Sequence, residues 1–395
     1  MTTLYVNGTI HSTADPYATA MLVDGDSVAW VGADDTAEAM RVRSGSQWDV
    51  VDLDSALMVP AFVDSLAADS GSASAARGVF LSVGSAGDAG PAAPEDEPQS
   101  ELQSEPRSHT VGYRSVGTDD LASGLQGVLS ELRSGVRTSD RSSDGRSSEA
   151  QYSAGLAAVV GTGELDSAAT ARLADEATAA GVQVYFLPQD PDAFAAVIAA
   201  VEGAADAQGK AALGMARHRV SWNGPVDGDS IRVLAEHSLS VTVVPEPEGD
   251  TLAVRAPVAS LLAGGVPVAF GSGGLAADLW AVLRASLEHA DPEQRISARA
   301  GFTAATRAGL RALPASLGDR FSMAGRIAPS SPATFGIWAA DALSVQAPDG
   351  RVAAWSTDTR AGTPLLPVLE EGTAAPRCLA TVVDGQTVYR APEWT

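Results

Sequence analysis

Residues 60–69 read Pro60-Ala61-Phe62-Val63-Asp64-Ser65-Leu66-Ala67-Ala68-Asp69. The apolar run Ala56-Leu57-Met58-Val59 leads into this stretch through Pro60, and Phe62-Val63 brings it to a carboxylate, Asp64. After the aspartate come Leu66 and Ala68, neither of which has a lone pair to offer a cation.

The wider composition fits a soluble globular chain. It has 395 residues, 45% hydrophobic and 19% charged, enough for a sizeable core in one large domain or two modest ones. The formal net charge is −23. Such a surface repels phosphate backbones and anionic lipid, so neither nucleic acid nor membrane is expected as a partner. Cys378 is the only cysteine, which excludes an internal disulfide and suits a reducing, cytoplasmic setting. The opening residues show no signal peptide, and the longest apolar stretches, such as Ala193 to Val201, are too short to span a bilayer.

Reading outward from the opening stretch, residues 1–55 consist of short strands punctuated by Asn7-Gly8 and Gly25 turns, with one short helix from Asp34 to Met40. From about Ser70 to Ser148 the apolar periodicity fades. Segments 84–108 and 139–148 are rich in Pro, Ser, Glu, Asp and Arg and read as flexible loops around one helix, Asp119 to Leu132. From Tyr152 strands and helices alternate. Expected strands are Leu156–Val160, Val182–Phe186, His218–Trp222, Ser240–Val244 and Val266–Phe270. The helices expected between and after them include Ser167–Ala180, closed by Gly181, and Asp192–Ala207. This alternation predicts a parallel sheet, and over this length a (β/α) TIM-like barrel, regular or distorted, rather than an open sheet. Strand character returns after Arg320. The expected organisation is a barrel over 56–320 and a small β-sandwich domain composed of 1–55 and 321–395.

Several stretches resemble amidohydrolase family 3 in order along the chain. They are Ile10 to Asp35, Val50 to Asp64, Leu262 to His289, Ile296 to Leu313, and the tail from Gly325 to Asp341 and Pro376 to Arg390. The resemblance implies a metal-dependent hydrolase of non-peptide C–N bonds, in which a metal, usually zinc, activates water and an aspartate moves the proton. Position by position the chain departs from that pattern. Leu66 and Ala68 stand where "PGFVDxHxH" has histidines, and Leu187 where "GFHxIGD" has one. Trp222 and Ser221 replace the last histidine and the glutamate of "HRxEH", and Gly273 replaces the aspartate of "GSDxP". No metal ligand and no cofactor are therefore expected, and no catalytic residue is assigned. The favoured reading is a catalytically silent homologue that binds a small molecule or a protein. The alternatives are an active hydrolase with a non-standard site, and a subunit paired with itself or with an active relative.

Asp64, Leu66, Ala68, Tyr185, Leu187, Trp222, Ser272 and Gly273 are the candidate lining of the barrel mouth. Tyr185 and Trp222 would offer an aromatic floor for a small ligand. The bulky members of the set would equally serve as filling for space that a metal and water occupy in relatives. Asp64 is read either as an acid–base group or as a carboxylate hydrogen-bonded within the mouth. His218, which begins its strand, is given a structural role.

Overall fold

The structure, a computed structural model, describes residues 1–45, 47–67, 72–85, 109–123, 125–127, 129, 132, 150–275, 278–318, 320–346, 355–356, 363–370 and 372–394. Its centre is an eight-stranded parallel sheet. Numbered in chain order, the strands are β1 (Phe62–Asp64), β2 (Val79–Ser85), β3 (His109–Ser115), β4 (Ala150–Val160), β5 (Gln183–Pro188), β6 (Arg219–Ser221), β7 (Ser240–Val243) and β8 (Val268–Phe270). Each strand pairs with its neighbours in sequence, as in a β/α barrel. The two edges meet through loop contacts: Ser65 N donates to Phe270 O at 3.0 Å, and Gly273 N to Leu66 O at 2.7 Å. The sheet is thus a near-barrel with its seam between β1 and β8.

Local chemistry explains the surrounding helices. Helix α1 (Ser167–Ala180) starts where Asp166 accepts a hydrogen bond from Ala169 N, and it ends at Gly181, whose φ of 66° is a left-handed conformation. Helix α2 (Pro191–Gln208) is capped by Asp190 and has Pro191 in its first turn, where the missing N–H is not needed. Their buried residues, among them Leu173, Ala177, Phe194, Val197 and Val201, pack with Leu156, Ala158, Val184, Phe186 and Val220 of the sheet. The other faces of the strands look inward, where Val83, Val111, Tyr113, Ala157 and Tyr185 cluster with Leu310, Leu313 and Leu317.

The two larger sheets outside the barrel are built from the ends of the chain. One joins Thr2–Val6, Ala20–Asp24, Ser27–Gly32 and Asp49–Asp52. The other joins Thr9–Ile10, Leu57–Pro60, Phe335–Ala339, Arg377–Val383 and Gln386–Arg390. Tyr5, Met21, Val28, Met58, Phe335, Ile337 and Ala380 form one core from both termini.

Two expectations change. Leu57–Pro60 is not the lead-in of a barrel strand; it pairs with Thr9–Ile10 and Phe335–Ala339, and the barrel begins at Phe62. The region read as a helix between loops also contains β2 and β3. Their apolar residues are interrupted by Ser82, Gly84, Gly112 and Arg114, which masked the pattern. Of the helix expected from Asp119, Thr118–Ser123 is described. Of the expected loops, Gly84 and Ser85 end β2, and the remainder of 84–108 and all of 139–148 lie outside the described residues.

Candidate functional site

The seam at the barrel mouth is built around Asp64. Its carboxylate, 1% exposed, accepts from Ser272 N at 2.9 Å, from Ser272 Oγ at 2.6 Å and from Leu66 N at 3.3 Å. Burial raises the Asp64 pKa, against the lowering effect of these hydrogen bonds. Asp64 thus joins the ends of β1 and β8 and orders the Ser272 turn. The backbones here are in close contact, for a Cβ added at Gly271 would stand 2.6 Å from Leu66 N.

The candidate positions separate once their neighbours are traced. Leu66 and Leu187 are partly buried and pack on the inner cluster that contains Tyr185. Trp222 does not join them. It stacks on Phe194 of α2, with ring centroids 4.8 Å apart, its Nε1 donates to Pro225 O at 3.0 Å, and it belongs to the cluster between sheet and helices. The expected floor of Tyr185 and Trp222 is not assembled, because stacking on Phe194 takes the indole to the helical layer. Gly273 has φ of 64°, and a Cβ there would lie 2.3 Å from Val244 Cγ1. Ala68 lies outside the described residues.

Beneath the mouth sits Arg219, which was not among the candidate residues. It lies level with Tyr185 of β5 and Ser240 of β7, and is 0% exposed. Its Nη2 donates to Ser65 O at 3.0 Å and to Thr242 Oγ1 at 2.7 Å. Its guanidinium carbon is 4.2 Å from the Tyr185 ring centroid and 6.0 Å from that of Tyr113. Tyr185 Oη also donates to Ser65 O, at 3.2 Å. Burial raises the pKa of both tyrosines, so they remain neutral phenols near pH 7. Among the described residues no Asp or Glu pairs with Arg219; the Tyr113 and Tyr185 hydroxyls interact with it, and its Nε and Nη1 have no partner of ordinary hydrogen-bond geometry. The signal available in the sequence was a lone arginine at an alternate position of an otherwise short, buried strand.

His218, one residue earlier, faces the other way. Its Nδ1 accepts from Val184 N at 3.0 Å, so Nε2 carries the proton and donates to Thr178 Oγ1 at 2.9 Å. That hydroxyl in turn donates to Ala174 O. Burial lowers the imidazole pKa to about 4. His218 is a neutral tie between β5, β6 and α1.

Comparison with known proteins places this arrangement. The family model described as "Amidohydrolase family", the third of its group, matches residues 110–389. The chain belongs to amidohydrolase family 3. No curated protein is significantly similar to it in sequence. Among solved structures, an amidohydrolase from an environmental sample of the Sargasso Sea is 15% identical with a TM-score of 0.60, over 99% of this chain and 93% of that one. Atrazine chlorohydrolase TrzN from Arthrobacter aurescens TC1, complexed with zinc, is 15% identical with a TM-score of 0.59, over 97% of this chain and 94% of that one. N-isopropylammelide isopropylaminohydrolase from Burkholderia multivorans is 13% identical with a TM-score of 0.56, over 99% and 98%. At these identities the likeness shows the fold.

The zinc of TrzN overturns the expectation that this amidohydrolase goes without a cofactor, because a protein of the same fold carries the metal. Leu66, Leu187, Trp222 and Gly273 have no side-chain donor for zinc and do not fit as its ligands. Among the described residues no three His, Cys, Asp or Glu side chains converge. No helix among the described residues is long and apolar enough to cross a membrane.

Proposed function

We propose that this amidohydrolase family 3 protein binds a small molecule at its barrel mouth without hydrolysing it. Gly273 carries this reading. The family resemblance puts the proton-shuttling aspartate there, and hydrolysis needs a titratable group to take a proton from water and deliver it to the leaving atom. Glycine supplies none. The backbone at this turn also opposes a side chain, through its φ of 64° and the 2.3 Å approach of Val244 to an added Cβ. Asp64 stands nearby, but its oxygens accept hydrogen bonds from Ser272 and Leu66, so it serves the seam. Leu66, Leu187 and Ser221 are partly exposed while Arg219, Tyr185 and Thr242 are buried, a combination of apolar residues and few polar anchors that suits a small ligand.

The test is an assay of the purified chain, supplied with zinc, against linear amides, cyclic amides and atrazine, alongside a thermal-shift screen of the same compounds. The expected result is stabilisation by ligands without turnover. Multiple turnovers of any of these substrates, abolished by Asp64→Asn, would instead establish an active hydrolase with a non-standard site.

A further inference from the structure

We infer that the barrel mouth takes a small carboxylate, with Arg219 as the group that receives its negative charge. The inference rests on the mouth being a small-molecule site and names the ligand class. A guanidinium has five N–H groups. Here the two on Nη2 are used by Ser65 O and Thr242 Oγ1, leaving one on Nε and two on Nη1 without a partner of ordinary hydrogen-bond geometry, although the neutral Tyr113 and Tyr185 hydroxyls also interact with the guanidinium. A buried charge is strongly disfavoured unless it is paired and its hydrogen-bonding groups are satisfied. The Tyr113 and Tyr185 rings offset part of that cost through their π faces, but neither residue is an anion at neutral pH. Among the described residues, the cation is therefore held in place with its charge uncompensated.

The surroundings limit what can compensate it. Among the described residues Arg219 is the enclosed cation, Arg77 also acts on Asp64, and the Asp64 carboxylate stands one residue from the Ser65 carbonyl that Arg219 binds. A dianion such as phosphate would bring excess negative charge close to Asp64, whereas a monoanionic carboxylate matches the single guanidinium. Tyr113, Tyr185 and Thr242 are all buried whereas Leu66, Leu187 and Ser221 are partly exposed, so a ligand's charged end would have to be small and would reach Arg219 past the partly exposed residues. The guanidinium N–H groups would donate to the carboxylate oxygens in charge-assisted hydrogen bonds, and no covalent step is involved.

The experiment uses the full chain, with sodium acetate as the probe, its neutral isostere acetamide, and sodium chloride at matched ionic strength. Calorimetric titration and thermal unfolding are read together. Acetate is expected to raise Tm by about 2 °C at roughly ten times its Kd, with chloride giving no comparable shift. Arg219→Met is expected to abolish the acetate effect. Should that variant fail to fold, Arg219→Lys retains the charge but not the planar donor set, and a fall of about tenfold in acetate affinity is expected. No acetate effect beyond that of chloride, or unchanged acetate binding in a folded Arg219 variant, overturns the inference. Stabilisation by acetamide alone would overturn the carboxylate assignment while leaving the mouth as a small-molecule site. Failure of both probes, together with failure of the wider ligand screen, would remove the site altogether.

Discussion

Two adjacent polar residues at the start of β6, His218 just before it and Arg219 within it, are treated in opposite ways. Outward, His218 is neutral and both its ring nitrogens are engaged, by Val184 N and Thr178 Oγ1. Inward, Arg219 is a fixed cation whose buried Nε and Nη1 have no partner of ordinary hydrogen-bond geometry. Both are fully enclosed, so burial does not distinguish them; satisfaction does. A closed network such as that of His218 rigidifies a fold, whereas an open one retains capacity for a ligand at a cost in stability. The contrast separates a residue that holds the barrel together from one that the barrel holds ready.

The sharpest way to break that comparison is His218→Leu. It leaves Val184 N–H without its acceptor in an apolar layer and removes the donor to Thr178, and should destabilise the protein by about 2–4 kcal/mol at pH 7. Chemical denaturation measures this directly, and a loss below half a kcal/mol would mean the histidine is not a structural tie.

Acid should erase much of the same difference. The folded pKa of His218 is about 4, below the ordinary 6.5. Between those values the unfolded chain binds the proton more readily than the native one. The contribution of neutral His218 is therefore complete above about pH 6.5 and declines towards pH 4, by about 3 kcal/mol in all. The stability gap between wild type and His218→Leu should close over that window. A constant gap would place the His218 proton elsewhere.

A smaller effect is expected at the seam. Ser272→Ala removes the 2.6 Å hydrogen bond to Asp64 Oδ2 but leaves the backbone donors of Ser272 and Leu66. The loss should be about 1–2 kcal/mol, seen as a lowered Tm, with the Asp64 pKa rising further as one of its donors disappears. A variant as stable as wild type would show that the backbone contacts alone hold β1 against β8.

The smallest change, and the one with the opposite sign, is expected at Arg219→Met without ligand. Replacing an unpaired buried charge with an apolar side chain of similar length should be near neutral or stabilising by about 1 kcal/mol. If this substitution costs more than His218→Leu, Arg219 is structural and the contrast between the two faces collapses.

Much of the fold was legible because it depends on local patterns. Strand and helix alternate from Tyr152 onward, and caps such as Asp166, Asp190 and Gly181 mark boundaries in plain view. β2 and β3 were not legible, since their polar and glycine residues dilute the periodicity and parallel pairing across the sheet supplies what the local pattern lacks. In the candidate site, the absence of donor side chains at Leu66, Leu187 and Gly273 was visible in the letters. The expectation that no cofactor is present did not follow from the same letters, since TrzN, a protein of this fold, is complexed with zinc.

By itself, then, the sequence determined the family, the alternating architecture and the identities of the residues at the strand ends. Tertiary structure alone decided which of those residues share a space. It took Trp222 out to Phe194, tied Asp64 to Ser272 across 208 positions of chain, and left Arg219 enclosed between two tyrosines. Side-chain identity is a property of one position, but satisfaction of a buried polar group depends on neighbours brought together by packing, and no local pattern encodes them.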